Sequence, residues 1–318
     1  MSRPILITMG EPSGVGPEIA VKAWAALGGK IGRRALRFVG DAGVLQAAAS
    51  LAGIDADAVA KNISDPGKPV RAVPGKPAPA NAPAVIAAIE DGAARVRRGD
   101  AAALVTAPIH KAILMQAGFG FAGHTEFLGH LTGAKRAVMM LAGPDLRVVP
   151  LTVHVPLAEV PGLLSTPAIV ETAEIVLASL KSDFAVAAPR LAIAGLNPHA
   201  GEESALGRED RDIVAPAVCA LTAKGYAVTG PHPADTLFHA QARARYDAAL
   251  CMYHDQALIP IKTLSFWDAV NVTLGLPIVR TSPDHGTALD IAGRGIADPR
   301  SMIAAIEMAA AIADARGL

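Results

Sequence analysis

ILITMGEPSGVGPEIAVKAWAAL, residues 5–27, holds the fold in miniature. Four β-favouring residues, Ile5 to Thr8, run into a turn containing Gly10, Gly14 and Gly16, and an Ala-rich stretch headed by Pro17 and Glu18 follows. Proline at the first helical position and an acid in the first turn suit a helix N-terminus, where unpaired N–H groups carry partial positive charge. The stretch therefore reads as strand, tight loop, helix, the repeating unit of parallel sheets. Amides at such a helix entrance are able to hold an anion. A tight turn without a ligand reads equally well, because both named phosphate loops fail: Ile19 stands where a dinucleotide fingerprint needs its third glycine, and no Gly-Lys-Ser/Thr is present.

Outward from this segment the same alternation continues. Strands are expected at Leu36 to Val39, Ala102 to Thr106, Arg136 to Leu141, Val148 to Val153, Leu191 to Leu196, Ala248 to Tyr253 and Val270 to Leu274, with Ala-rich helices between them. The last helix places Met302, Ile303, Ile306, Ala309, Ala310 and Ile312 along one face. The fold class predicted is α/β, with mostly parallel central sheets flanked by helices. The proline-rich residues 65–83 interrupt this pattern as a surface excursion.

Composition narrows the function. The chain has 318 residues, 52% of them hydrophobic and 18% charged, and its 29 basic and 29 acidic side chains cancel. That composition suits a packed core and argues against disorder and against nucleic acid as a partner. No run approaches the roughly 18 apolar residues of a spanning helix, so no membrane partner is expected. Gly10, Glu11 and Pro12 cut short the first apolar run before a signal-peptide core forms, which makes the cytoplasm the expected location. Cys219 and Cys251 sit in apolar surroundings and read as small buried hydrophobes.

Three of the nine histidines directly follow apolar strand candidates: His154 after VVPLTV, His199 after LAIAGLNP and His254 after AALCMY. Ligands of open α/β sheets bind at the carboxyl ends of strands, so remote imidazoles delivered there are placed to meet around a metal. Three unrelated loop histidines are the plain alternative. His124, Thr125, Asp235, Lys262, Asn271 and Arg280 are polar residues in otherwise apolar stretches; a Lys and an Arg at strand ends suit an anionic substrate. The loop SPDHGTALDIAGRG offers Gly286 and Gly293 for close backbone approach, and Asp290 as acceptor for a ribose diol; a long loop that only caps the final helix reads equally well.

GEPSGVGPEI, TAPIHK, GHTEFL, LNPHAGE, GPHPADTLF, MYHDQALIPIK and VNVTLGLPIVRTSPDHGTALDIAGRG together resemble the 4-hydroxythreonine-4-phosphate dehydrogenase family of pyridoxal 5′-phosphate biosynthesis over nearly the whole chain. GVGPE and HGTALDIAGRGIADP are also similar to the isocitrate/isopropylmalate dehydrogenase superfamily. The resemblance implies a two-lobed fold, with residues 1–118 plus 268–318 as a discontinuous cofactor-side lobe and 119–267 as a central lobe. It implies a divalent metal (zinc, magnesium, cobalt or manganese) on His154, His199 and His254, with His254 reaching into the partner subunit's site of a homodimer. His124, Thr125, Lys262, Asn271 and Arg280 would contact a phosphorylated small-molecule substrate. Gly286, Thr287, Asp290 and Gly293 would hold NAD, with NADP the alternative. The implied reaction is metal chelation of a secondary alcohol, proton removal by Lys262 or Asp235, hydride transfer to the nicotinamide and decarboxylation of the resulting β-keto acid. A sister dehydrogenase of a phosphorylated sugar acid, 4-phosphoerythronate or 4-phosphothreonate, shares these motifs. Trp267 and Asp268 depart from the glycine-rich sequence usual before Val270.

Overall fold

Residues 2–318 are described in a computed structural model of the chain. The first elements are β1 (Ile5–Thr8), α1 (Gly16–Ala26), β2 (Lys30–Ile31), β3 (Arg34–Val39), α2 (Ala42–Leu51), α3 (Ala56–Ala60), β4 (Ile63–Ser64), α4 (Ala82–Arg98), β5 (Ala103–Thr106), α5 (Lys111–Gln116) and α6 (His124–Thr132). Next come β6 (Val138–Ala142), β7 (Arg147–Pro150), α7 (Val160–Leu163), α8 (Thr166–Ser182), β8 (Arg190–Ala194), α9 (Ala215–Ala223), β9 (Ala227–His232), α10 (Ala240–Arg243), β10 (Ala248–Cys251) and α11 (His254–Leu264). The chain closes with β11 (Val270–Leu274), β12 (Arg280–Pro283) and α12 (Arg300–Ala315).

Two compact units result: Met1–Ala137 with Val270–Leu318, and Val138–Ala269. In the first, strands run in the order β2-β3-β1-β5-β12-β11, with β4 beside β3. Ile5–Thr8 align in parallel with Leu36–Val39 on one side and Ala103–Thr106 on the other. All four residues of β1 are buried, the continuous apolar run of a strand covered on both faces. Asp41 caps α2 by accepting the Val44 N–H at 2.8 Å, and Gly99, in the left-handed region at φ 82°, ends α4. In the second unit the order is β6-β7-β10-β8-β9, all parallel pairs except β6 with β7. Its core gathers Leu141, Val148, Ala192, Leu237, Tyr246, Ala249, Cys251 and Ile261. The fold is thus α/β with mostly parallel sheets.

Several boundaries differ from expectation. The division expected at 118/119 falls at 137/138, because Phe119, Phe121 and Phe127 stack on one another, and Phe119 and Phe127 join Val85, Ile89 and Leu104 in the first unit's core. α6, with His124 and Thr125, therefore belongs to the first unit, whereas Asp268 and Ala269, expected in that unit, fall in the second. β7 stops at Pro150 and β10 at Cys251, so His154 lies in a loop and His254 opens a helix. Cys251 is buried as expected, whereas Cys219 is exposed on the outer side of α9. No single helix among the described residues is long and apolar enough to cross a membrane.

Candidate active site

In the first unit, β5, β11 and β12 bring together a buried cation and its setting. β12 pairs with β5 in parallel and with β11 antiparallel, which sets Arg280 beside Thr106, Asn271 and Thr273. Arg280 is only 3% exposed. Its Nε and Nη2 donate to Thr106 Oγ1 at 3.1 and 2.7 Å, and its Nη1 to Thr273 Oγ1 at 2.8 Å and Asn271 Oδ1 at 3.5 Å. Burial pulls its pKa down to about 9, partly offset by the charge of Glu126. His124 opens α6 with Thr125 beside it; its Nε2 is shut off from solvent and has no hydrogen-bond partner. Burial, then the charges of Arg280 and Lys111, hold this imidazole well below its ordinary range, so it is neutral. A neutral ring with a spare nitrogen beside a guanidinium is equipped to receive an anion bearing a hydroxyl or phosphoryl oxygen.

Three loops of the same unit pack on one another. The Val15 N–H donates to Thr287 O at 2.9 Å, and the Gly75 N–H to Ser13 O at 2.8 Å. A Cβ at Gly14 would lie 2.9 Å from Thr287 O, and one at Gly293 2.5 Å from the Pro74 Cβ. Residues 65–83 are thus more than a surface excursion: around Pro74 and Gly75 they brace the loop carrying Gly286, Thr287, Asp290 and Gly293. The turn ahead of α1 is held by the chain itself. Ser13 N donates to Glu11 Oε1 at 3.1 Å, Gly14 N to Glu11 O at 3.1 Å and Val15 N to Thr287 O, so the chain itself takes the amides ahead of the helix. Glu11, buried, has its carboxyl pushed above the usual range by that burial.

In the second unit, the rings of His154 and His254 lie with centroids 5.8 Å apart, lining a cavity of about 350 Å³ with Thr152 and Tyr253. His254 Nδ1 is 2.7 Å from Asp255 Oδ1. Lys262, eight residues further along α11, shares with His254 the wall of a second cavity of about 430 Å³. Asp235 sits exposed on a one-turn segment, Ala234–Thr236. His199 stands apart, exposed on a left-handed run in which His199, Ala200, Gly201, Glu202, Glu203 and Ser204 all have φ between 41° and 84°. Among the described residues no three His, Cys, Asp or Glu side chains meet as a metal donor set, so one chain does not bring the three expected imidazoles together.

Sequence reasoning missed Thr106 and Thr273, which read as ordinary β-branched strand residues, and Asp210. Buried Asp210 accepts the N–H groups of Leu196 and Asn197 at 2.7 and 3.0 Å and Asn197 Nδ2 at 3.0 Å, fixing the left-handed run. Glu18 and Lys22 carried a visible i,i+4 spacing, but not their grip on residues 295–297.

Residues 33–309 match the family model described as pyridoxal phosphate biosynthetic protein PdxA. The chain belongs to the PdxA family. A relative from Caulobacter vibrioides named 4-hydroxythreonine-4-phosphate dehydrogenase is 52% identical over 335 aligned positions that cover all of this chain and 99% of the relative. A crystal structure of the enzyme of that name from Klebsiella pneumoniae superposes with a TM-score of 0.85 at 38% identity, covering 98% of this chain and 100% of that one. A β-decarboxylating dehydrogenase from Thermococcus kodakarensis, 16% identical with a TM-score of 0.51, covering 100% of this chain and 84% of that one, shares the fold. This PdxA-family chain is an oxidoreductase with the two-unit dehydrogenase architecture.

The residues of the PdxA-family chain fit a nucleotide at the loop after β12. Gly286 has open space where a side chain would stand, and Asp290 is exposed with its carboxylate available to a diol. A three-imidazole metal site does not fit within one chain, for the reason given by His199.

Proposed function

We propose that the chain oxidises the secondary alcohol of 4-phosphohydroxy-L-threonine with NAD, giving 2-amino-3-oxo-4-phosphooxybutanoate, a β-keto acid that loses carbon dioxide to leave 3-amino-2-oxopropyl phosphate. The carrying observation is buried Arg280, whose recorded acceptors are all uncharged oxygens, in a chain aligned end to end with dehydrogenases named for a phosphorylated substrate.

Arg280, Asn271 and Thr125 receive the substrate's anionic end, and neutral His124 offers its unpartnered nitrogen to an oxygen there. Lys262 takes the hydroxyl proton, a role supported by its place on the cavity wall beside His254; Asp235, exposed on its turn, is the alternative base. Gly286, Thr287, Asp290 and Gly293 position the dinucleotide, which when bound accepts the hydride. Asp290 repels a 2′-phosphate, so kcat/KM with NAD should exceed that with NADP, modestly. A divalent metal on His154, His199 and His254 belongs to this reading only in a homodimer, where His254 is contributed to the partner's site. The expected location is the cytoplasm.

The test follows NADH formation by the purified protein with synthetic 4-phosphohydroxy-L-threonine, with and without chelator, and with 4-phosphothreonate and 4-phosphoerythronate in parallel. Turnover of the first above the other two supports the reading. Preference for a sugar acid, or no NADH from any of them, refutes it.

A further inference from the structure

Arg280 has five N–H groups, and the way they are used is unusual for a residue that grips anions. The two-pronged grip of a guanidinium on carboxylate or phosphate ordinarily uses a flat edge with two parallel N–H groups. Here the edge formed by Nε and Nη2 is already filled by a single oxygen, Thr106 Oγ1, at 3.1 and 2.7 Å. Nη1 is turned to Thr273 Oγ1 and, more loosely, to Asn271 Oδ1. Among the described residues Nη2 has a single acceptor, Thr106 Oγ1, for its two N–H groups. Among the described residues no carboxylate forms an ion pair with it, Glu126 acting only through space, although the side chain is 3% exposed, and a buried cation so weakly compensated is costly unless something supplies a closer anion. Thr106 is itself wholly buried, ends β5 and pairs with Thr8 in the middle of the first unit's sheet.

We propose that Thr106 is a positioning residue for substrate binding: its hydroxyl fills the Nε–Nη2 edge of Arg280 and so fixes which hydrogen, the remaining one on Nη2, meets the substrate's anionic group. Thr273 holds the other arm of the fork in the same way. The proposal rests on Arg280 contacting the substrate, as in the function proposed above. Thr106 touches neither substrate nor cofactor; it acts by holding Arg280 in one rotamer and by denying the anion the side edge.

The experiment uses the full-length protein with Thr106→Val, which keeps shape and β-branching and deletes the acceptor, and Thr106→Ser, which keeps the hydroxyl. Two readouts are taken: KM and kcat for the phosphorylated substrate, and the dissociation constant of inorganic phosphate by calorimetry, which needs no turnover. Thr106→Val is expected to raise both KM and the phosphate constant about tenfold with kcat within about twofold, the loss of one charge-assisted hydrogen bond. Thr106→Ser is expected to restore both to within about threefold of the parent. Unchanged KM and phosphate affinity in Thr106→Val overturns the proposal while leaving the reaction intact. A parent protein that oxidises none of the substrates, yet binds phosphate more weakly as Thr106→Val, sinks the proposed reaction and upholds the role of Thr106. Should Thr106→Val fail to fold, Thr273→Val replaces it, and an unchanged phosphate constant in that variant overturns the proposal.

Discussion

Lys22 to Met is the substitution with the most distinctive expected outcome. Lys22 Nζ donates to Glu18 Oε1 at 2.7 Å, Gly295 O at 2.8 Å and Ala297 O at 2.9 Å, using all three of its hydrogens. Glu18 Oε1 also accepts the Ala297 N–H at 2.9 Å. One ion pair on α1 thus clamps the end of the loop that carries Gly286 and Gly293, the glycines proposed above to position the dinucleotide. Methionine keeps most of the aliphatic stem but strands two carbonyls and a carboxylate whose side chain is 4% exposed, against 20% for the lysine. Removing one partner of a fully buried pair costs about 3–5 kcal/mol; the partial exposure of the lysine admits water, so about 2 kcal/mol is expected here. Adding Glu18→Gln removes the stranded charge, and the double variant should recover about 1 kcal/mol relative to Lys22→Met alone. Urea unfolding of the four proteins supplies the cycle, and hydrogen exchange of residues 285–297 locates the loss. KM for NAD should rise while that for the phosphorylated substrate stays put. A Lys22→Met cost below about 0.5 kcal/mol, or a double variant equal to the sum of the singles, refutes the clamp.

The remaining expectations concern His124, Gly14 and Asp210. The folded value of His124 lies below its ordinary 6.5, so its contribution to stability is present above that pH and lost as pH falls through the interval beneath it; His124→Gln should flatten the urea midpoint's decline between about pH 7 and pH 5, and an unchanged slope counts against a neutral buried ring. Gly14→Ala drives a Cβ to 2.9 Å from Thr287 O, and steady-state kinetics should register a KM for NAD raised about fivefold with small effect on the other substrate. Asp210→Asn keeps size but turns one accepting atom into a donor facing backbone N–H groups; a loss of about 2 kcal/mol and faster proteolysis near residues 199–204 are expected, and parent-like cleavage rates would show the run to be held otherwise.

Elements whose pattern is local were legible in the chain. β1, β5, β11 and the long helices α4, α8 and α12 stand close to where their apolar runs and periodicity place them, because each buries what it announces. β12 was not legible: Arg280, Thr281 and Ser282 are polar, and their burial is compensated by partners such as Thr106 and Ala305 that lie far away in the chain. α11 hid behind Pro260 and its direct continuation from an apolar strand. His124 and Thr125 were recognisable as polar interruptions, yet the helix they open was not, since HTEFLGHLT has few apolar positions. The three histidines were read as a set from their places after apolar runs, but convergence is a three-dimensional property, and the left-handed run that carries His199 has no local signature beyond Gly201.

The order of elements along the chain also bears on how a newly made polypeptide acquires its structure. Residues 138–269 are contiguous, so the unit they form has every strand it needs before synthesis is finished. The other unit lacks β12, the neighbour of β5, until Arg280–Pro283 have been made, and Arg34 waits longer still for Asp314. During translation β5 therefore leaves one edge of backbone N–H and C=O groups unpaired while every strand of the inserted unit has already been made, and in that interval the edge is open to wrong pairing.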